Sequence, residues 1–234
     1  MSRSRADETW TYESIVGSIP GLSLPPAVAL AVQLGLFEAG LLVMAAVYDL
    51  HDAVLPGTVA VLVATAGSAF MLDLGPRTRG LSLDPSYDRL LFGSSIEVVL
   101  SILAFAALMT YLFVADPRAD PVFLTDVLGE RPPLPAVYLM LIILWDVCYR
   151  IGTGWWTAVV AGWRTLSGGF DAPTARELRR IDGHTFGFAL VQLALLPFVR
   201  EHPVLFWALV GHALAVGIVT GISTAILVKR SYSA

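Results

Sequence analysis

Long apolar runs separated by short polar stretches set the pattern of this chain. Five runs, Pro26–Tyr48, Val54–Leu74, Ser94–Ala115, Pro135–Val160 and Pro203–Val228, each supply the ~20 apolar residues that a helix needs to cross a bilayer core. A sixth, Thr185–Val199, has only fifteen residues. It reaches spanning length when taken back to residue 183, with the Arg200 side chain snorkelling to the surface. The pattern predicts an all-α membrane protein with six transmembrane helices, at about 26–48, 54–74, 94–115, 135–160, 183–199 and 203–228.

Positive charge decides between five spans and six, because Lys and Arg concentrate on the cytoplasmic side. Six spans with both termini cytoplasmic place Arg3, Arg5, Arg77, Arg79, Arg89, Arg164, Arg176, Arg179, Arg180, Lys229 and Arg230 inside. Only Arg118, Arg131 and Arg200 then lie outside. Dropping the short run would send Lys229 and Arg230 outward and spoil that asymmetry. The organisation is thus a segment 1–25, one membrane domain 26–228, and a cytoplasmic tail 229–234.

Residues 1–25 do not read as a signal peptide, since Asp7, Glu8 and Glu13 interrupt them and the following apolar run is too long. Trp10, Ile15 and Ile19 are spaced for a short interfacial helix that Pro20 ends. The stretch "RTLSGGFDAPTARELRRIDGHT" reads as a Gly-rich turn, then a short helix after Pro173 with a Thr174–Glu177 capping-box spacing. Its basic residues suit an anionic membrane surface. Trp155, Trp156 and Trp163 fall where the fourth span should leave the membrane, as an aromatic belt predicts. On the sixth span Ala213, Gly217, Gly221 and Ala225 recur every four residues. Such a stripe admits a neighbouring helix closely, and same-chain packing is expected.

Composition narrows the class further. Of 234 residues, 56% are hydrophobic and 15% charged, where soluble domains carry about 25% charged residues. A single cysteine, Cys148, excludes an internal disulfide or a Cys-rich metal site. Fourteen Arg stand against one Lys and nineteen acids, for a net charge of −4. This acidic, Lys-poor balance resembles that of proteins from salt-loving archaea.

The chemistry, if any, must come from the few polar groups inside the spans, because an ionised group there is costly unless paired or wet. Asp146 and Arg150 stand four apart on the fourth span and share a helix face. Asp146 lies about 17 Å in from Pro135 and Arg150 about 6 Å deeper. Either they neutralise one another and orient the helix, or they line a polar cavity that "GTG" at Gly152–Gly154 helps to open by loosening the helix. Glu38, near the middle of the first span, and Glu97, a turn into the third, are the acids placed to join them. Glu97 is expected either as a second partner of Arg150 or as an interfacial acid. His212 on the sixth span reads as a satisfied hydrogen-bonding residue or as a proton carrier. Gln33 and Gln192 are expected to join helices by hydrogen bonds. A shared Pro-Ala-Val opening at Pro26 and Pro135 hints at an inverted repeat of two three-span halves.

Several activities are excluded. A seven-helix retinal protein needs a lysine deep in its last span, and Lys229 sits at the end of this one. A rhomboid-like protease needs Ser and His about 3 Å apart, whereas Ser94 or Ser95 and His212 lie about 16 Å apart in depth. The acidic signature of CDP-alcohol transferases is missing, and four scattered histidines offer no matched pair for haem. The string "LWDVCYRIGTGWW", followed by "RRIDGHTFGF", resembles uncharacterised six-span membrane proteins of haloarchaea over the C-terminal half. That resemblance implies a salt-loving origin and brings no activity with it. Two readings remain. One is small-solute or ion transport at a site of Glu38, Asp146 and Arg150, with Glu97 and His212 beside it. The other is a structural or accessory subunit in which the charges only fix packing. No cofactor, metal or nucleic acid is implied. The expected partner is the lipid bilayer of the cell membrane, with a second copy of the chain or a partner subunit left open.

Overall fold

The computed structural model describes residues 25–81 and 83–231. The interfacial helix expected around Trp10–Ile19 lies outside them. Eight α-helices follow in order: α1 (Pro26–Tyr48), α2 (His51–Arg79), α3 (Pro85–Phe92), α4 (Ile96–Thr110), α5 (Phe123–Leu128), α6 (Leu134–Ser167), α7 (Ala172–Gln192) and α8 (Pro203–Ser231). A π-helical turn, Tyr111–Ala115, prolongs α4, and a 3₁₀ segment, Leu193–Val199, prolongs α7. Among the described residues six helical segments are long and apolar enough to cross a membrane, and no strand occurs. This is a multi-pass helical membrane protein.

Proline marks the helix starts. It stands in the first turn of α1, α3, α6, α7 and α8, where its missing N–H costs nothing and its fixed φ suits the helix. The turn between α1 and α2 is two residues long because Asp49 closes α1 in the left-handed region, at φ 60°. Between α3 and α4 the chain breaks at Ser95, also left-handed at φ 54°.

Two expectations change. The "GTG" stretch does not loosen anything, since α6 runs unbroken through it for 34 residues. Its glycines serve close packing instead: a Cβ on Gly152 would lie 2.5 Å from Ser101 Oγ and 3.2 Å from the Glu97 carbonyl oxygen of α4. Likewise, the basic stretch after Arg164 is mostly helix, with only residues 168–171 between α6 and α7. The α7 N-cap is Asp171, whose carboxylate accepts from the Thr174 N–H at 3.2 Å. Glu177 instead pairs with Arg77 of α2 at 3.2 Å and with Arg180.

Helix α6 is the axis of the bundle and packs against α1, α2, α3, α4, α7 and α8. The two ends of the bundle differ. At the α3 end, Met71, Leu74, Tyr87, Leu91, Leu178, Ile181 and Leu227 form a dense core. Phe70 and Phe188 stack within it at 5.2 Å. At the α5 end Ala53, Leu128 and Ala136 form a smaller core cluster. Large apolar residues such as Leu36, Leu103, Trp207 and Ile218 face outward, as lipid contact requires.

Candidate functional site

The midsection of α6 carries a polar chain that ties three helices together. Arg150, 1% exposed, donates from Nη2 to Asp146 Oδ1 at 2.7 Å. Its Nη1 lies 3.1 Å from the Met71 sulfur of α2. The other Asp146 oxygen accepts from Gln33 Nε2 of α1 at 2.9 Å, and Gln33 Oε1 accepts from Ser68 of α2 at 2.9 Å. Gln33 is therefore the interhelical link that a polar amide at that depth suggests. Gly67 makes the approach of α2 possible, because a Cβ there would fall 2.6 Å from Arg150 Cγ and 2.8 Å from Phe188 Cζ. The crevice beside Asp146, bounded by Phe37, Val61, Ala64 and Ile143, has no room for a water molecule.

The other singled-out residues lie apart from that chain. Glu38 accepts from Thr58 Oγ1 of α2 at 2.7 Å, while its Oε2 meets no hydrogen-bond partner among the described residues. Glu97, 1% exposed, packs where α4 crosses α6, and its Oε2 likewise meets none. His212 stands 6.3 Å from the Trp155 ring, with Nε2 buried and unpartnered among the described residues. Gln192 is buried with neither amide atom bonded there. Trp155 and Trp156 pack within the bundle, Trp156 donating to the Leu90 carbonyl at 3.0 Å, and Trp163 faces outward. The small-residue stripe of α8 divides. Ala213 is buried, Gly217 receives the Phe186 ring of α7, and Gly221 opens outward with nothing near its Cβ position.

A second buried charge cluster lies where charge density along the chain suggests a cytoplasmic loop. Arg164 Nη2 meets Asp182 Oδ1 at 2.6 Å, with side chains 2% and 0% exposed. Asp182 Oδ2 accepts from Ser223 of α8 at 2.7 Å, and Ser223 meets Thr165 at 2.7 Å. Arg164 also donates to the Tyr87 hydroxyl at 3.3 Å and lies 5.6 Å from that ring. Arg230 closes the cluster by donating to the Thr165 and Gly168 carbonyls. One signal pointed there: Arg150, Thr153, Thr157, Ala161 and Arg164 follow at helical spacing, so Arg164 shares the inward face of α6.

Polar groups thus fasten the helices and leave little space. The space lies elsewhere. A cavity of about 420 Å³ occupies the α5 end, within the ~300–1,000 Å³ typical of ligand pockets. Among the described residues no Asp, Glu, Lys or Arg lines it. Two of the three departures from α-helical backbone among the described residues border it, the π turn through Tyr111 and Leu112 and the 3₁₀ segment through Leu195, Phe198 and Val199, while the 3₁₀ turn Asp116–Arg118 does not. Cys148 and His212 border its deep side. Ala107, Val204 and Ala208, which also line it, are exposed, so it opens toward lipid between α4 and α8. Among the described residues no three His, Cys, Asp or Glu side chains are grouped to hold a metal.

A model of a family of unknown function, DUF7530, matches residues 5–223. No curated protein and no solved structure matches the chain.

Proposed function

Since this chain belongs to the family of unknown function DUF7530, whose description assigns no activity, we propose a function from geometry: it takes an apolar chain from the bilayer into its helix bundle. The carrying observation is the cavity at the α5 end, almost wholly apolar and open sideways to lipid. An apolar void facing hydrocarbon loses dispersion contacts while empty, and a lipid-like chain restores them. The π turn and the 3₁₀ segment support the reading, because irregular backbone at membrane depth is tolerated where it borders a cavity and π turns collect at functional sites. The narrowness of the crevice beside Asp146 supports the structural reading of the intramembrane charges over passage of a polar solute.

The test fills the cavity. Ala104 and Ala208 line it from α4 and α8, and phenylalanine at both places would occupy the space from two sides. Native mass spectrometry of the wild type should show one lipid-sized adduct that survives delipidation. The Ala104→Phe/Ala208→Phe variant should melt within a few degrees of wild type and carry none. An equal adduct on both proteins, or on neither, would sink the proposal.

For orientation, we propose that both termini face the cytoplasm and that the α5 end lies outside the cell membrane. The support is the concentration of Arg and Lys toward the α3 end. Reporters fused after Ala119 or Glu201 should read outside, and after Arg79 or Gly169 inside. An inside result at Glu201 would overturn this placement. The acidic, Lys-poor composition supports a haloarchaeal origin.

A further inference from the structure

The cavity reaches the rim of the bundle at the α5 end, where Leu50, Ala53, Phe123, Val127, Leu128 and Val199 line it. Three of these six adjoin an exposed acid, while Val199 adjoins Arg200. Asp49 adjoins Leu50, Asp52 adjoins Ala53, and Asp126 adjoins Val127, all three of them exposed. Across the connections at this end, residues 49–52, 116–131 and 200–202, seven carboxylates stand against three arginines. The carboxylates are Asp49, Asp52, Asp116, Asp120, Asp126, Glu130 and Glu201. Asp116 is buried and taken up by the Phe123 and Leu124 N–H groups of α5, while the other six face outward. The neighbouring histidines are His51, which lies 3.0 Å from Asp49, and His202, which lies 3.6 Å from Asp116.

A charged head group cannot follow its chain inward, because none of the described residues lining the cavity is ionic. It stays at the rim, in the field of the exposed carboxylates. That field attracts a cation and repels an anion, over roughly the 10 Å Debye length at 0.1 M salt. Resting on the apolar-chain reading above, we propose that the cavity accepts a single-chain amphiphile with a cationic head, the chain between α4, α6 and α8 and the head beside Asp49, Asp52 and Asp126. Anionic amphiphiles of the same chain length are disfavoured.

Cys148, the sole cysteine, borders the cavity and serves as a built-in reporter. The full chain is placed in phosphatidylcholine nanodiscs, and the rate of Cys148 alkylation by N-ethylmaleimide is followed. The probes are hexadecyltrimethylammonium, hexadecanol and hexadecyl sulfate, compared at equal mole fractions. The ammonium should protect Cys148 at a concentration on the order of tenfold below the sulfate in 0.1 M salt, with the alcohol between them. The ratio should fall toward one at about 1 M salt, where the Debye length is about 3 Å. The Asp49→Asn/Asp52→Asn/Asp126→Asn variant should lose most of the preference while the alcohol still protects. Equal protection by all three probes, or a preference that survives the triple change, overturns the cationic assignment and leaves the apolar-chain reading standing. Protection by none removes both.

Discussion

Replacing Arg164 with methionine costs the folded protein about 3–5 kcal/mol, the usual penalty for stranding one member of a buried ion pair. The pair is buried, with side chains 2% and 0% exposed, so removing the guanidinium leaves Asp182 as an uncompensated buried charge. Ser223 still donates to Asp182, but a hydroxyl does not balance a carboxylate charge. The double change Arg164→Met/Asp182→Leu should recover much of the loss, because apolar residues of similar volume often replace a buried pair at little net cost. Recovery stays incomplete, since the Tyr87 hydroxyl loses the donor that Arg164 supplied, worth about 1–3 kcal/mol for a buried group left unsatisfied. Unfolding titrations in mixed micelles read all three energies. A single Arg164→Met variant within about 1 kcal/mol of wild type would show that the cluster is not what fastens α3, α6, α7 and α8.

The second large effect falls on Asp146 and Arg150. Asp146→Asn and Arg150→Gln, each alone, should lower stability by up to about 3–5 kcal/mol and reduce the monodisperse yield in detergent. Asp146 is 19% exposed and keeps its bond from Gln33, so the Arg150→Gln loss belongs at the lower end. The double change Asp146→Leu/Arg150→Met should fold at least as well as either single variant. It should also retain the apolar adduct, because neither residue lines the cavity. Solute uptake measured on the same proteoliposomes separates the two functional readings. A folded double variant that retains its adduct yet loses an uptake present in the wild type would return the pair to a transport site.

Which parts of this molecule can be read from residues alone follows from the range of the forces involved. Membrane insertion depends on summed apolar length, so the six spanning segments were legible, even the short one at Thr185–Val199. That run gains its spanning length because α7 starts at Ala172 and continues into a 3₁₀ segment around Pro197. The i,i+4 spacing of Asp146 and Arg150 is likewise local, and their 2.7 Å contact follows from helix geometry.

Partnerships across helices are another matter. Asp182 and Ser223 lie 41 positions apart, and Gln33 and Asp146 lie 113 apart. Nothing in a single sequence ranks these pairings above their alternatives. Loop-like charge density concealed Arg164 and Asp182, because density along the chain does not say which face of a helix a charge occupies. The "GTG" glycines were ambiguous for the same reason: absence of a Cβ permits both unwinding and close approach, and only Ser101 lying against Gly152 selects the second. The cavity was least legible of all. Nearly every residue lining it is an ordinary apolar side chain, fit for core or lipid contact alike, and a void is a property of how the surrounding helices pack. Closer packing lies elsewhere, where Gly67 and Gly152 let helices approach and the two charge clusters join them.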